Sequence, residues 1–154
     1  MRRLIMLMGL PGSGKSTYAK KLLELHPDWN YVSRDEVRYE YVSDQEHYFD
    51  HEAEVYREFC NRIDMYLRRD ETVIADATHL STSSRKKLLK NIIKPEQTWL
   101  VFVMAPFKTC MERNAKRVGI TRVPDDSMYR MKNMLRLPSP NEPFDKIVKV
   151  DGSI

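Results

Sequence analysis

Apolar and polar positions follow two rhythms along this chain. Short apolar runs at Leu4–Met8, Thr72–Asp76 and Thr98–Met104 have the length of strands and the composition of strands buried on both faces. Asn30–Ser33 and Ile147–Val150 read as two further short strands. Between them the period changes to a helical one. A helix is predicted from Lys15 to His26, where Pro27 stops it. A long helix is predicted over Asp44–Arg69, because Tyr48, Val55, Phe59, Ile63, Tyr66 and Leu67 recur at helical spacing. Ser81 or Thr82 caps a basic helix through Lys94, and Pro95 ends it. Pro106–Arg117 and Pro124–Arg136 read as helices around a loop at 118–123. Strands alternating with helices predict an α/β fold, a parallel five-stranded sheet with helices on both faces. Ligands in such sheets sit beyond the carboxyl ends of the strands.

Length and composition narrow the class. The 154 residues suffice for one domain, and 42% hydrophobic with 31% charged residues is ordinary for a globular protein. No apolar stretch approaches a membrane span, and the apolar run after Met1-Arg2-Arg3 is too short for a secretory signal. Cys60 and Cys110 both lie in helical surroundings and read as unrelated reduced thiols, which fits a cytoplasmic enzyme. The net charge of +4 is concentrated. Residues 111–136 carry Arg113, Lys116, Arg117, Arg122, Arg130, Lys132 and Arg136 against Glu112, Asp125 and Asp126, while residues 44–70 are predominantly acidic. Such a basic stretch suits a polyanion, either nucleotide phosphates or nucleic acid, or is simply a solvated helix face.

The chemistry centres on Gly9-Leu10-Pro11-Gly12-Ser13-Gly14-Lys15-Ser16-Thr17. This is G-x-x-x-x-G-K-[ST] with a strand before it and a helix after it. Its glycines let successive backbone N–H groups turn inward toward phosphate oxygens, and the new helix adds its positive end. Lys15 can reach the β- and γ-phosphates, and the Ser16 hydroxyl can ligate Mg²⁺. The sequence therefore implies a nucleoside-triphosphate site.

Several residues fall at the carboxyl ends of the predicted strands. Asp35 follows the second strand closely; it suits a general base for a substrate hydroxyl, or equally a helix N-cap. Arg38, on the same helical face, could grip a substrate phosphate. Asp76 ends an apolar strand in the Walker-B manner and would hold Mg²⁺ or its water. Arg113 and Arg117, four apart, precede Gly119 and could serve a mobile cover over the transferring phosphoryl group, or form a solvent-exposed face. His47 and His51 are also four apart but lack a third metal ligand, so an exposed helix start is expected. Met128, Met131 and Met134 read as core filler. Tyr39, Tyr41, Tyr48 and Phe49 form an aromatic group near Arg38, for base stacking or for burial against the sheet.

In order, Gly9–Thr17, Val32-Ser33-Arg34-Asp35-Glu36-Val37-Arg38, Val73–Leu80, Arg113-Asn114-Ala115-Lys116-Arg117 and Val123-Pro124 resemble the kinase domain of phage-type polynucleotide 5′-hydroxyl kinases, within the P-loop kinase superfamily. The resemblance implies a single domain over 1–154 with a small helical lid at about 107–136. It implies ATP and Mg²⁺ held by Lys15, Ser16 and Asp76, with Arg113 and Arg117 as lid arginines, the second reaching the transferring phosphate. It implies Asp35 as the base on a 5′-OH, Arg38 on the 3′-phosphate of the terminal nucleotide, and Thr78 near the substrate. His79 stands where such kinases often carry Asn. Asp151-Gly152-Ser153 resembles part of the D-x-D-G-T motif of their phosphatase half, but position 149 is Lys149, so no 3′-phosphatase activity is expected. The expected activity is ATP-dependent phosphoryl transfer to a 5′-hydroxyl end of DNA or RNA, with no membrane partner. A small-molecule kinase of the same build, acting on a sugar, an antibiotic or a nucleotide sugar, is the alternative. A nucleotide-gated binding module or an ATPase does not account for Asp35 beside Arg38.

Overall fold

The computed structural model describes residues 1–154. Five strands form one sheet: β1 (Arg3–Met8), β2 (Asn30–Ser33), β3 (Thr72–Asp76), β4 (Gln97–Met104) and β5 (Lys146–Asp151), in the order β2-β3-β1-β4-β5. Every neighbouring pair is parallel, and Leu7 lies in register between Asp76 and Val101. The helices are α1 (Lys15–Leu25), α2 (Arg34–Tyr39), α3 (Glu52–Arg68), α4 (Thr82–Asn91), α5 (Phe107–Ala115) and α6 (Asp125–Met134), with a 3₁₀ turn at Gly119–Thr121. The chain has the P-loop NTPase fold.

The side-chain period of a strand sorts the core into two layers. Leu4, Met6 and Met8 of β1 join Phe59, Ile63 and Leu67 of α3 and Leu88 of α4 on one face. Ile5 and Leu7 join Ala19 of α1 with Val101 and Val103 on the other. A third cluster of Leu10, Tyr48, Leu80, Cys110, Val123 and Met128 gathers at the carboxyl end of the sheet and seats α5 and α6 there. Cys60 and Cys110 are free thiols buried in different clusters.

Four helix boundaries differ from the periodicity, among them the end of α6, at Met134 instead of Arg136. The helix expected from Asp44 starts only at Glu52, because turns take up the residues before it: the Asp44 carboxylate accepts the His47 N–H at 3.0 Å, and Tyr48 N–H bonds to Gln45 O at 3.2 Å. Those turns send Tyr48, 2% exposed, into the crevice. The fourth helix stops at Asn91 instead of Lys94, and α5 stops at Ala115, so Arg113 and Arg117 do not share a helix face. His47 and His51 each meet an exposed carboxylate three positions on, Asp50 and Glu54.

Candidate active site

Gly9–Thr17 curls between β1 and α1 over a cavity of about 240 Å³. Gly12 has φ 82°, and a Cβ there would lie 2.7 Å from Cys110 O, so the loop needs glycine at that point. The first turn of α1 has no side-chain cap and no acidic residue, leaving its N–H groups to an anion. Lys15 crosses the loop mouth and donates to Gly9 O at 2.9 Å and Leu10 O at 3.0 Å. Burial lowers its pKa, opposed by the charges of Asp76 and Asp35.

Asp76 is 5% exposed at the end of β3. Its Oδ2 accepts from Ser16 Oγ at 3.3 Å and from the Tyr31 hydroxyl at 2.5 Å. Burial raises the Asp76 pKa, while Lys15 and the Tyr31 hydrogen bond pull it back. Tyr31 is shifted upward too, by burial and then by the Asp76 charge. A hydroxyl and a carboxylate converging here form a hard oxygen donor set, which fits Mg²⁺.

The N-cap of α2 is Ser33, whose Oγ accepts the Glu36 N–H at 3.2 Å. Asp35 is therefore not used as a cap. Its Oδ1 accepts from Arg38 Nη1 and, at 3.5 Å, from the Tyr48 hydroxyl, and its side chain stays 48% exposed. Asp35 lines the nucleotide-loop cavity and also a second cavity of about 230 Å³. Pro11, Lys15 and Asp76 are likewise common to both. The second cavity continues past Arg34, Arg38, Glu52 and Thr78 to an apolar wall of Phe49, Leu80, Val123, Met131 and Met134. Of the three methionines expected as core filler, only Met128 is fully buried; Met131 and Met134 line this wall. Tyr48 and Phe49 stack edge-on at 4.7 Å and both lie over the Arg38 guanidinium.

Arg38 lines the second cavity with its donors already engaged. Nε and Nη2 donate to Glu52 at 2.8 and 2.7 Å. Burial alone would lower its pKa, but Glu52 and Asp35 hold it raised. Glu52, fourteen positions away, gives no local signal in the sequence. Neither does Tyr31.

The two arginines expected on one helix separate in role. Arg113 Nη1 donates to Gly12 O at 3.0 Å and Gly152 O at 2.8 Å, tying the phosphate loop to the turn after β5. That turn lines the first cavity with Asp151 and Gly152, positions that sequence reasoning did not place there. Arg117 follows α5, lines the first cavity and is half-buried. The Asn114 side chain, buried completely, brackets Val123 from both sides at 2.8 and 3.0 Å and so pins the 116–123 loop. Thr78 lines the second cavity, and its carbonyl accepts the Gly9 N–H at 3.0 Å. His79 supports the same join: buried, with φ 44°, it bonds Leu7 O through Nδ1 at 2.6 Å.

A family model described as "AAA domain" matches residues 4–138. Among solved structures, Chaetomium thermophilum Kti12 in complex with ADP-AlF3 superposes with a TM-score of 0.76 at 17% identity, over 96% of this chain and 88% of that one. A sugar kinase from Janibacter superposes at 0.69 and 17% identity, over 99% of this chain and 86% of that one. A fungal RNA kinase superposes at 0.66 and 14% identity, over 96% and 73%. At these identities the likeness is one of fold, and it spans kinases of small molecules and of nucleic acid.

Proposed function

The chain belongs to this AAA-domain family, and on that premise we propose that it is an ATP-dependent phosphotransferase acting on the 5′-hydroxyl end of a DNA or RNA strand. The observation that carries the reading is the meeting of two cavities at Lys15, Asp35 and Asp76. One has the cradle for a triphosphate; the other opens on a carboxylate and an apolar wall fit for a nucleoside.

In this reading the phosphate loop and Lys15 hold the ATP phosphates, and Arg113 keeps the loop in place. Ser16 and Asp76 would hold Mg²⁺, which when bound neutralises charge on the β- and γ-phosphate oxygens. Asp35 accepts the proton of the acceptor hydroxyl as its oxygen attacks the γ-phosphorus and the bond from that phosphorus to the bridging oxygen of ADP breaks, so that ADP leaves; such a base contributes about 10²–10⁴-fold. Arg117 neutralises charge spreading over the transferring group. Thr78 lies beside the acceptor, and Arg38 holds Asp35 and Tyr48 in position. The unit from about 107 to 136 covers both cavities as a lid within a single domain over 1–154.

A small-molecule acceptor is the second reading. It is favoured by Glu52, which occupies the guanidinium fork of Arg38 that a substrate phosphate would otherwise take. Labelled ATP offered with 5′-hydroxyl DNA, 5′-hydroxyl RNA and a panel of sugars and other small alcohols tests both. Label on the oligonucleotides supports the first reading; label on the small alcohols alone would overturn it.

A further inference from the structure

Asp76 receives both of its side-chain hydrogen bonds on one oxygen. Its Oδ2 takes the Tyr31 hydroxyl at 2.5 Å and Ser16 Oγ at 3.3 Å, while Oδ1 accepts from no protein group. The register of the sheet accounts for the shorter bond. Ser33 lies opposite Asp76 and Tyr31 opposite Ile74, so Tyr31 and Asp76 are diagonal neighbours on one face of β2 and β3. Such diagonals are about 7–8 Å apart, a gap that an aromatic side chain can cross. The Tyr31 ring packs against the core layer that contains Leu7, Ala19 and Ile74, which sets where its hydroxyl ends. Asp76 itself lines both cavities.

We infer that Tyr31 is a positioning residue for the metal: its hydroxyl fixes the Asp76 carboxylate so that Oδ1 stays free to hold Mg²⁺ or its water. This rests on the proposed reading of Ser16 and Asp76 as the residues that hold Mg²⁺. The torsion that turns an aspartate carboxylate is broad, so rotamer preference alone does not fix the group. Ser16 is the weaker anchor, since its bond to Asp76 is long and its oxygen is wanted as a metal ligand. Tyr31 supplies the short bond from a strand that carries neither the phosphate loop nor Asp76. A neutral donor suits this place. Lysine or arginine there would orient the carboxylate too, but would offset the negative charge that attracts a cation.

The test measures ATP binding by calorimetry, with Mg²⁺ and with EDTA, on the unaltered protein, Tyr31→Phe, Asp76→Asn and the double variant. Phenylalanine keeps the ring in the core layer and removes only the donor. In Tyr31→Phe, metal-free ATP is expected to bind within about twofold of the unaltered protein, while the gain in affinity from Mg²⁺ falls about tenfold. In the Asp76→Asn background the same substitution lowers that gain no further. Mn²⁺ offered with ATP and read by electron paramagnetic resonance shows less bound ion in Tyr31→Phe at equal ATP occupancy. An undiminished gain from Mg²⁺ in Tyr31→Phe overturns the inference. So does an equal loss with and without metal, because Tyr31 would then shape the cradle as a whole. No gain from Mg²⁺ in the unaltered protein overturns the inference together with the metal reading of Ser16 and Asp76. No acceptor is present in any arm, so the outcome is independent of the acceptor class.

Discussion

Glu52 closes on Arg38 with both carboxylate oxygens, at 2.7 and 2.8 Å, and thereby joins the start of α3 to α2. Arg38 in turn meets Asp35, so an acid that lines the cavity over the phosphate loop is held through a chain of charges that begins on another helix. A double-mutant cycle with Glu52→Gln and Arg38→Gln is expected to give a coupling energy of about 1.5–3 kcal/mol in urea unfolding. Additive losses from the two single variants would show that the pair is decorative.

Asp35→Asn keeps the shape of the side chain and removes its ability to take a proton. Transfer should slow by about 10²–10⁴-fold, while ATP affinity, read by equilibrium binding, stays within about twofold because the triphosphate cradle is untouched. Unchanged turnover would remove Asp35 from the reaction.

Gly152 packs directly against the phosphate loop. A Cβ there would stand 1.8 Å from Ser13 O, a backbone atom that cannot swing aside. Gly152→Ala should therefore lower stability by about 1–3 kcal/mol and weaken ATP binding together with it. A variant that melts like the parent would mean that the turn after β5 does not brace the loop.

His79 is buried and its pKa is pushed down to about 4 by that burial, despite its bond to Leu7 O. The unfolded chain takes up a proton there near pH 6.5 that the folded chain refuses until about pH 4. Stability thus falls as pH drops through that window and levels off beneath it, by roughly 3 kcal/mol from this group. Asn tolerates the left-handed backbone that His79 adopts at φ 44° and does not titrate. His79→Asn should flatten the difference in denaturant midpoint between pH 4 and pH 7, an outcome read from two unfolding curves per protein. The difference between the variants isolates His79 from Asp76, whose raised pKa works in the opposite direction.

Arg85 is fully buried and donates to Glu142 from Nε at 2.7 Å and Nη2 at 3.1 Å, fastening the stretch after α6 to α4. Burial works against the Glu142 charge, but Arg85 and the Ser139 N–H hold its pKa below the usual range. Arg85→Met should cost about 3–5 kcal/mol because a carboxylate at 8% exposure loses its counter-ion. Arg85→Met with Glu142→Leu should be more stable than Arg85→Met alone, since no unpaired charge remains. Thermal melts of the two variants decide it.

The local code was readable where the physics is local. Strand composition placed all five strands, and Gly9–Thr17 with its flanks placed the nucleotide loop. Asp76 was found because an acid at the end of an apolar strand can only sit at the carboxyl edge of the sheet. Periodicity failed at 44–51, where Tyr48 keeps the helical spacing from within turns. It failed again at Arg117, since α5 ends two residues earlier.

The sequence by itself determined the α/β alternation and a phosphate-binding loop between β1 and α1, because both depend on neighbours in the chain. Only the tertiary structure decided how the charges are matched: Glu52 on Arg38, Tyr31 on Asp76, Arg113 on Gly12 and Gly152, and Arg85 on Glu142. Each pair joins residues far apart in sequence, so its existence depends on where the packed sheet brings two elements together. A buried charge must find its partner there, whatever lies beside it along the chain.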